Sequence, residues 1–335
     1  MMKRIAPLIL SLAATAAIVS LFLWICGYSP WTVFYTLATG AFNSWNGFLL
    51  TLTKTALLIL TGLAVAVPYR AGLFNIGGEG QLYLGGLAAA ILGTMPLAAM
   101  GPLHWIACLL IGSLCGALWG GLAALLKTRR GVHEVISTIM LNFIAFHAVN
   151  ELTAGVFSAG PGTSRTEFIQ ASAQLPTLLV RGGAQTSWGV AISFVIALLL
   201  SWGLRRTWPG FELRAVGNNP AASSYAGIAC GRVRLYAMLI GGGCAGLAGA
   251  METAGATHTF YERFTGGAGF DGIAVAFLAL CEPWAVIPAA MAIAALRASD
   301  RSLQLELGIP KEIVFMLEGI LIISLAVFTR RRRYD

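Results

Sequence analysis

Residues 47–67 read GFLLTLTKTALLILTGLAVAV, from Gly47 to Val67, with Lys54 as the single charged side chain in the run. An α-helix needs about 20 apolar residues to cross the hydrocarbon core of a bilayer. This stretch has that length, and only Lys54 resists burial in lipid. Working outward from it, nine further runs qualify as crossings: Ile5–Gly27, Leu73–Leu92, Trp105–Leu126, Val135–Phe157, Trp188–Leu204, Leu235–Gly255, Phe270–Leu280, Trp284–Leu296 and Ile313–Phe328. Phe270–Leu280 and Trp284–Leu296 are short enough to be half-helices or a re-entrant pair. The count is therefore about ten, within a range of eight to ten.

The composition agrees. Of 335 residues, 57% are hydrophobic and 11% charged, where soluble domains carry about 25% charged residues. Mean hydropathy is +0.78. The 40 glycines suit membrane helices whose backbones approach closely. The expected fold is an all-α polytopic membrane protein, a single transmembrane domain over residues 1–335. A water-soluble enzyme of this size is unsupported. The amino end, Met1-Met2-Lys3-Arg4 before Ile5–Gly27, is similar to a signal peptide, but its apolar run exceeds the roughly 7–15 residues of such a segment. It reads as an uncleaved first span. The six cysteines form no C-x-x-C pair and give neither a disulfide framework nor a zinc site.

The net charge of +8 invites a nucleic-acid reading. Basic residues placed between hydrophobic runs fit the positive-inside rule better, and no nucleic-acid partner is expected. With ten crossings, fifteen of the 22 Lys and Arg residues fall on the side of Lys3 and Arg4. Arg70, Lys127, Arg129, Arg130, the loop Arg205–Arg234 and Arg330–Arg333 belong to that side. Arg165, Arg181, Arg263, Arg297, Arg301 and Lys311 fall on the other. Both termini and Arg205–Arg234 are then cytoplasmic, and Ser158–Ser187 is external.

Catalytic chemistry has no foothold. None of the four lysines follows a glycine, so there is no P-loop. His133-Glu134-Val135-Ile136-Ser137 has Ser137 where a zinc-protease helix needs its second His. No catalytic residue, metal site or cofactor is expected. What stands out is acids in or near apolar runs: Glu79, Glu151, Glu252, Asp271 and Glu318. Ionisable groups at membrane depth are costly and face a cavity or a partner. Glu151 and Glu318 are explained more simply as partners of a basic neighbour. Glu79 and Asp271 sit in Gly-rich breaks, Gly72–Gly80 and Gly266–Gly272. Irregular backbone at that depth is tolerated only where it is buried in protein or lines a cavity. Phe74, Asn75, Glu79, Gln81 and Asp271 are therefore candidates for a solute pathway. Asn142 joins them, with an interhelical hydrogen bond as its alternative role. The two breaks lie five crossings apart and admit an inverted five-helix repeat, although Gly-rich turns also precede many unrelated membrane helices.

Within Arg205–Arg234, Asn219 is a good N-cap, Pro220 suits the first helical position and Gly227 suits a left-handed terminator. The spacing predicts a short helix between Asn219 and Gly227, with Ala221, Ala222 and Tyr225 on one face. So short a helix must lean on a partner or on its own membrane domain.

Five segments carry a resemblance: Ala71–Gln81 (AGLFNIGGEGQ), Gly131–Asn142 (GVHEVISTIMLN), Gly210–Pro220 (GFELRAVGNNP), Gly269–Ala276 (GFDGIAVA) and Gly308–Glu312 (GIPKE). Together they resemble the permease subunit of bacterial ABC importers of the ribose and branched-chain amino-acid class, closest to the nucleoside, or simple-sugar, branch. The resemblance runs from about Leu50 to Phe328. It implies inward transport of a nucleoside or related small polar solute across the inner membrane. It also implies a second permease subunit, a cytoplasmic ATPase that binds the ATP, and an external solute-binding protein or lipoprotein. The helix after Asn219 would then dock on the ATPase, involving Arg214, Gly217, Asn219, Pro220, Ala221, Tyr225 and Gly227. One departure stands out: after Ala276 the family continues with a basic, Asn-rich turn, whereas this chain has Leu280-Cys281-Glu282-Pro283. Two other functions remain open on the residues alone. One is an ion-coupled secondary transporter with Glu79 or Asp271 as coupling acid, and the other is a membrane scaffold. The solute itself is not legible.

Overall fold

Gly27 stops one helix and Ser29-Pro30 starts another, an event the apolar pattern conceals. In the computed structural model, which describes residues 2–97, 99, 101–310, 312–317 and 319–320, α1 (Met2–Ile25) is followed by α2 (Pro30–Phe42). Residues 13–25 and α2 are bent by 113°, with Gly27 at φ +84° in the turn. The stretch between the first two expected spans is thus a helix. Its Val33, Leu37 and Ala41 recur every fourth residue and are buried.

The chain continues through α3 (Trp45–Arg70), α4 (Gly78–Thr94), α5 (Leu103–Arg130) and α6 (Glu134–Ala154). A hairpin of β1 (Thr177–Arg181) and β2 (Ala184–Ser187) interrupts the helical pattern. Gly182 and Gly183, at φ +61° and +83°, supply the two positive-φ residues of a tight hairpin turn. Then come α7 (Gly189–Arg206), α8 (Trp208–Asn218), α9 (Pro220–Tyr225), α10 (Cys230–Glu252), α11 (Ala268–Leu278) and α12 (Val286–Leu307). A π-helical turn, Thr253–Thr257, extends α10.

Among the described residues, five helices are long and apolar enough to cross a membrane: α3, α5, α6, α7 and α10 with its extension. The bent α1–α2 pair makes a sixth if taken as one span. The expected Leu73–Leu92 span is shortened to the 17 residues of α4, and Phe270–Leu280 becomes α11, also 11 residues but starting two positions earlier. Trp284–Leu296 instead lengthens into α12, which carries Arg297, Asp300 and Arg301 within the helix. Arg297 and Arg301 are therefore not loop residues, as the charge tally had placed them. The second half of Ile313–Phe328, Glu318 and Arg330–Arg333 lie outside the described residues.

Burial separates the helices into an inner and an outer set. Leu110, Leu114, Leu118, Leu122 and Leu126 form an exposed row along α5, and Ile136, Met140, Phe143 and Ile144 do so on α6. Such exposed apolar rows suit contact with hydrocarbon. By contrast α3 and α10 are largely enclosed. Helices in lipid associate through close packing of small residues rather than through hydrophobic burial. Gly246 of α10 shows the constraint: a Cβ there would strike the Gly112 carbonyl of α5. The hairpin is tied to the start of α3 by Thr53 and Thr186, 2.8 Å apart, and by Arg181 over the Trp45 ring at 4.2 Å. It marks one end of the molecule. Arg70, α8 and α9 mark the other.

Candidate functional site

After Arg70 the chain turns at Gly72 (φ +74°) and runs back into the protein in an extended segment. The Asn75 side-chain amide donates to Ala64 O at 3.0 Å. Ala64 lies six residues before the end of α3, roughly 9 Å along the axis at 1.5 Å per residue. Helix α4 therefore starts inside the protein and runs towards the hairpin end. The segment 258–267 enters from the hairpin end and starts α11 at a similar depth. The two Gly-rich breaks meet at their helix N-termini: Gly269 approaches so closely that a Cβ on it would lie 2.5 Å from Glu79 Cα.

Glu79 sits in this junction, 2% exposed. Its Oε2 accepts from Gly269 N–H at 2.5 Å and its Oε1 from the Thr265 hydroxyl at 2.7 Å. A helix N-terminus carries partial positive charge and unpaired N–H groups. Two such ends converge here; the Glu79 carboxylate caps the α11 terminus through Gly269 N–H and, placed in the first turn of α4, also complements that helix's positive end, whose Gly80 N–H is taken by Asn142. Glu79 is covered by these partners.

The amides of the other candidates hold the break in shape. Asn75 and Gln81 pair with each other through Asn75 Nδ2 to Gln81 Oε1 and Gln81 Nε2 to Asn75 Oδ1, both 3.0 Å. Asn142 on α6 accepts from Gly80 N–H at 2.9 Å and donates to Ile76 O at 2.9 Å. It makes the interhelical bonds that were its alternative role. Phe74, half-buried, lies against Phe277 of α11 with ring centroids 5.6 Å apart, and Tyr69 packs on the same ring at 6.0 Å. These aromatics fill the space between the junction and the Arg70 end.

On the hairpin side of the junction lies a cleft of about 520 Å³, walled by α3, α4, α11, α12 and residue Phe315. Asp271 lines it, and accepts from Arg297 Nη2 at 2.6 Å. Lys54, Tyr83, Thr265 and Asp300 also face the cleft, and the Arg297 guanidinium lies 4.4 Å over the Phe315 ring. Cations, carboxylates, a hydroxyl and aromatic faces thus line one space. Of the sequence candidates only Asp271 reaches it. Glu79 lies behind Thr265, and Asn75, Gln81 and Asn142 are buried in the hydrogen bonds that hold the break. Glu252 lines a separate crevice beside Thr53 and Ser187. Lys54, Arg297 and Asp300 were missed. Lys54 was read only as a charge within a span. Arg297 and Asp300, three apart and therefore on one helix face, were the available signal for a functional face on α12.

At the opposite end, the predicted short helix is present as α9. Asn219 Oδ1 accepts from Ala222 N–H at 3.0 Å, Pro220 is in the first turn and Gly227 ends the segment at φ +84°. Ser223 is its buried residue; Ala221, Ala222 and Tyr225 are exposed, Tyr225 to 94%. A second helix, α8, precedes it and was not anticipated. Thr207 caps it by accepting from Gly210 N–H at 3.4 Å. Arg214 on α8 donates from Nε to Gly210 O at 3.3 Å. Gly217 lies directly on the Arg70 carbonyl, where a Cβ would collide.

Two broken helices meeting head to head beside a polar cleft is transporter architecture, and comparison of the sequence agrees. Residues 47–326 match the family model described as branched-chain amino acid transport system / permease component. The chain belongs to that permease family. It is a transport component and not an enzyme. Among its relatives is the guanosine ABC transporter permease protein NupP of Bacillus subtilis, 36% identical, over 97% of this chain and 95% of the relative. Another is the glucose ABC transporter permease protein TsgB13 of Haloferax volcanii, 33% identical, over 84% of this chain and 77% of the relative. The nucleoside ABC transporter permease protein NupB of Lactococcus lactis is 32% identical, over 90% and 85%.

Proposed function

We propose that this permease is the membrane subunit of an ATP-binding-cassette importer that carries a nucleoside, or a related small polar solute such as a simple sugar, inward across the bacterial inner membrane. The observation that carries the reading is the cleft at Asp271, closed at its base by the Glu79–Gly269 junction. Ligand sites commonly span about 300–1,000 Å³, so the cleft at about 520 Å³ has room for a nucleoside. Its charged and hydroxyl groups can bond ribose hydroxyls, and the faces of Tyr83 and Phe315 suit a flat base. Phe74, Tyr69 and Phe277 then form the inner barrier, and Asn75, Gln81 and Asn142 keep the break rigid while α11 moves. Two relatives named for nucleosides and one for glucose support this solute class.

In this reading a second permease subunit completes the route, an external binding protein or lipoprotein delivers solute on the hairpin side, and separate cytoplasmic ATPase subunits bind the ATP and dock at α9. Both termini and residues 205–234 face the cytoplasm. The subunit has about ten crossings when α4, α11, α12 and the expected Ile313–Phe328 run are added to the six. The head-to-head α4 and α11 favour an inverted repeat. The test is uptake of radiolabelled guanosine by proteoliposomes holding the permease, its ATPase and its binding protein. Asp271→Asn is expected to lower uptake about tenfold while the ATPase remains bound. Unchanged uptake by that variant would remove the cleft from the route.

A further inference from the structure

Glu282, in the turn between α11 and α12, holds two arginines from two other helices. Its Oε1 pairs with Arg70 at the end of α3, and its Oε2 lies 3.3 Å from Arg205 Nη2 near the end of α7. Arg70 Nε also donates to the Cys281 carbonyl at 3.0 Å. The Arg205 guanidinium lies 6.0 Å from the Trp284 ring centroid. The turn itself is unusual. Leu280 and Cys281 stand at φ +53° and +54°, a left-handed conformation that side chains other than glycine adopt only when surrounding structure imposes it. A crevice of about 70 Å³ lies beside the pair, and Arg214 of α8 opens onto it.

Arg70 is thus grasped from both sides. Its carbonyl carries Gly217 of α8, with no room for a side chain between them, and its guanidinium carries Glu282. A continuous chain of contacts runs from α9 through α8 to Arg70, from Arg70 to Glu282, and from Glu282 into α11 with Phe277 and Asp271. The side chains of this ion pair are 27% and 37% exposed, so solvent screens part of whatever the pair adds to stability. A role in holding the fold therefore explains the arrangement only in part. A role in transmitting movement between α8–α9 and α11 explains it well.

Resting on the transport reading above, we propose that Glu282 is a positioning residue for coupling. It links the ATPase-facing helices to α11, so that their displacement during ATP turnover moves the wall of the cleft. Arg70 and Arg205 are its partners. When the pair is broken, the ATPase still docks and turns over, but α11 no longer follows.

The experiment uses the full complex in proteoliposomes, with the permease carrying Arg263→Cys as a reporter at the cleft rim and Cys26 and Cys230 replaced by serine. Labelling of that cysteine by a membrane-impermeant maleimide is compared without nucleotide and after trapping with ATP and vanadate. With Glu282 present, trapping is expected to change the labelling rate at least threefold. With Glu282→Gln the change is expected to vanish while basal ATP hydrolysis stays within twofold and the ATPase co-purifies. In the complex without the reporter cysteine, the ATP consumed per guanosine taken up should rise at least fivefold, and Glu282→Asp should restore part of the coupling. Equal labelling changes in Glu282→Gln and its parent overturn the proposal while leaving the transport reading intact. Loss of ATPase binding in Glu282→Gln also overturns it, in favour of a structural role. No nucleotide-dependent change even with Glu282 present defeats the transport reading and this proposal together.

Discussion

Glu79 and Asn142 show how differently two buried polar side chains can serve one junction. Asn142 satisfies Gly80 N–H and Ile76 C=O. Leaving a buried donor or acceptor unpaired costs about 1–3 kcal/mol each. Asn142→Ala is therefore expected to destabilise the protein by about 2–6 kcal/mol on that basis, seen as a lower melting temperature in detergent. An unshifted melting curve would mean that water or another group takes over both bonds. Glu79 instead brings a charge to two helix N-termini. Glu79→Gln keeps the shape and exchanges one acceptor oxygen for an amide N–H. The Thr265 hydroxyl can turn to accept from that amide, whereas Gly269 N–H cannot. The variant is expected to assemble with the ATPase and to lose most of its uptake, roughly the effect of replacing a charge-assisted bond by one about half as strong. Normal uptake would show that the carboxylate's charge plays no part in transport. Loss of assembly would make Glu79 structural.

At the scale of elements, α9 depends on position more than on intrinsic strength. It has six residues, far fewer than the dozen or so an isolated helix needs in water. It persists through the Asn219 cap, the Gly227 stop and its contacts with α8 and α10. Its exposed Ala221, Ala222 and Tyr225 are free for a partner. Ala221→Asp should therefore leave insertion and folding intact, because the side chain points to solvent, while solute-stimulated ATP hydrolysis and uptake fall together. If both stay near the parent values, α9 is not the coupling element. Gly217→Val places a branched side chain against the Arg70 carbonyl. It should displace α8 and uncouple transport even though α9 itself is unaltered, which separates docking from transmission.

For the whole molecule, the disposition of its two ends is the property most open to direct test. The hairpin carries Val180, 67% exposed, and α9 carries the exposed Ser224. Cysteine at 180 should react with an impermeant maleimide in intact cells, and cysteine at 224 only after permeabilisation. The reverse pattern would invert the orientation derived from Lys and Arg. Ser172, in the same loop as the hairpin, is a poorer reporter because it is half-buried and its hydroxyl lies 2.8 Å from His104 Nδ1.

What the sequence determined by itself was whatever depends on local composition. Long apolar runs marked α3, α5, α6, α7 and α10, because the bilayer's thickness imposes a length on any crossing. Glycines and acids marked both breaks, because irregular backbone is costly in lipid. Asn219, Pro220 and Gly227 marked α9, because caps act through neighbouring residues. The bend between α1 and α2 was not legible, since hydropathy does not record direction. Tertiary structure alone decided which polar groups face a cavity. Asn75 and Gln81 looked like pathway residues, yet they bond to each other across one loop. Lys54 and Arg297 looked like an in-span oddity and a loop cation, yet they meet Asp271 in one cleft. Glu282 stood out only as a departure from a pattern until folding brought it to Arg70, 212 positions earlier in the chain, and to Arg205. A side chain's partner across such separations depends on how helices pack, and each of these residues would read the same in sequence whichever way it pointed.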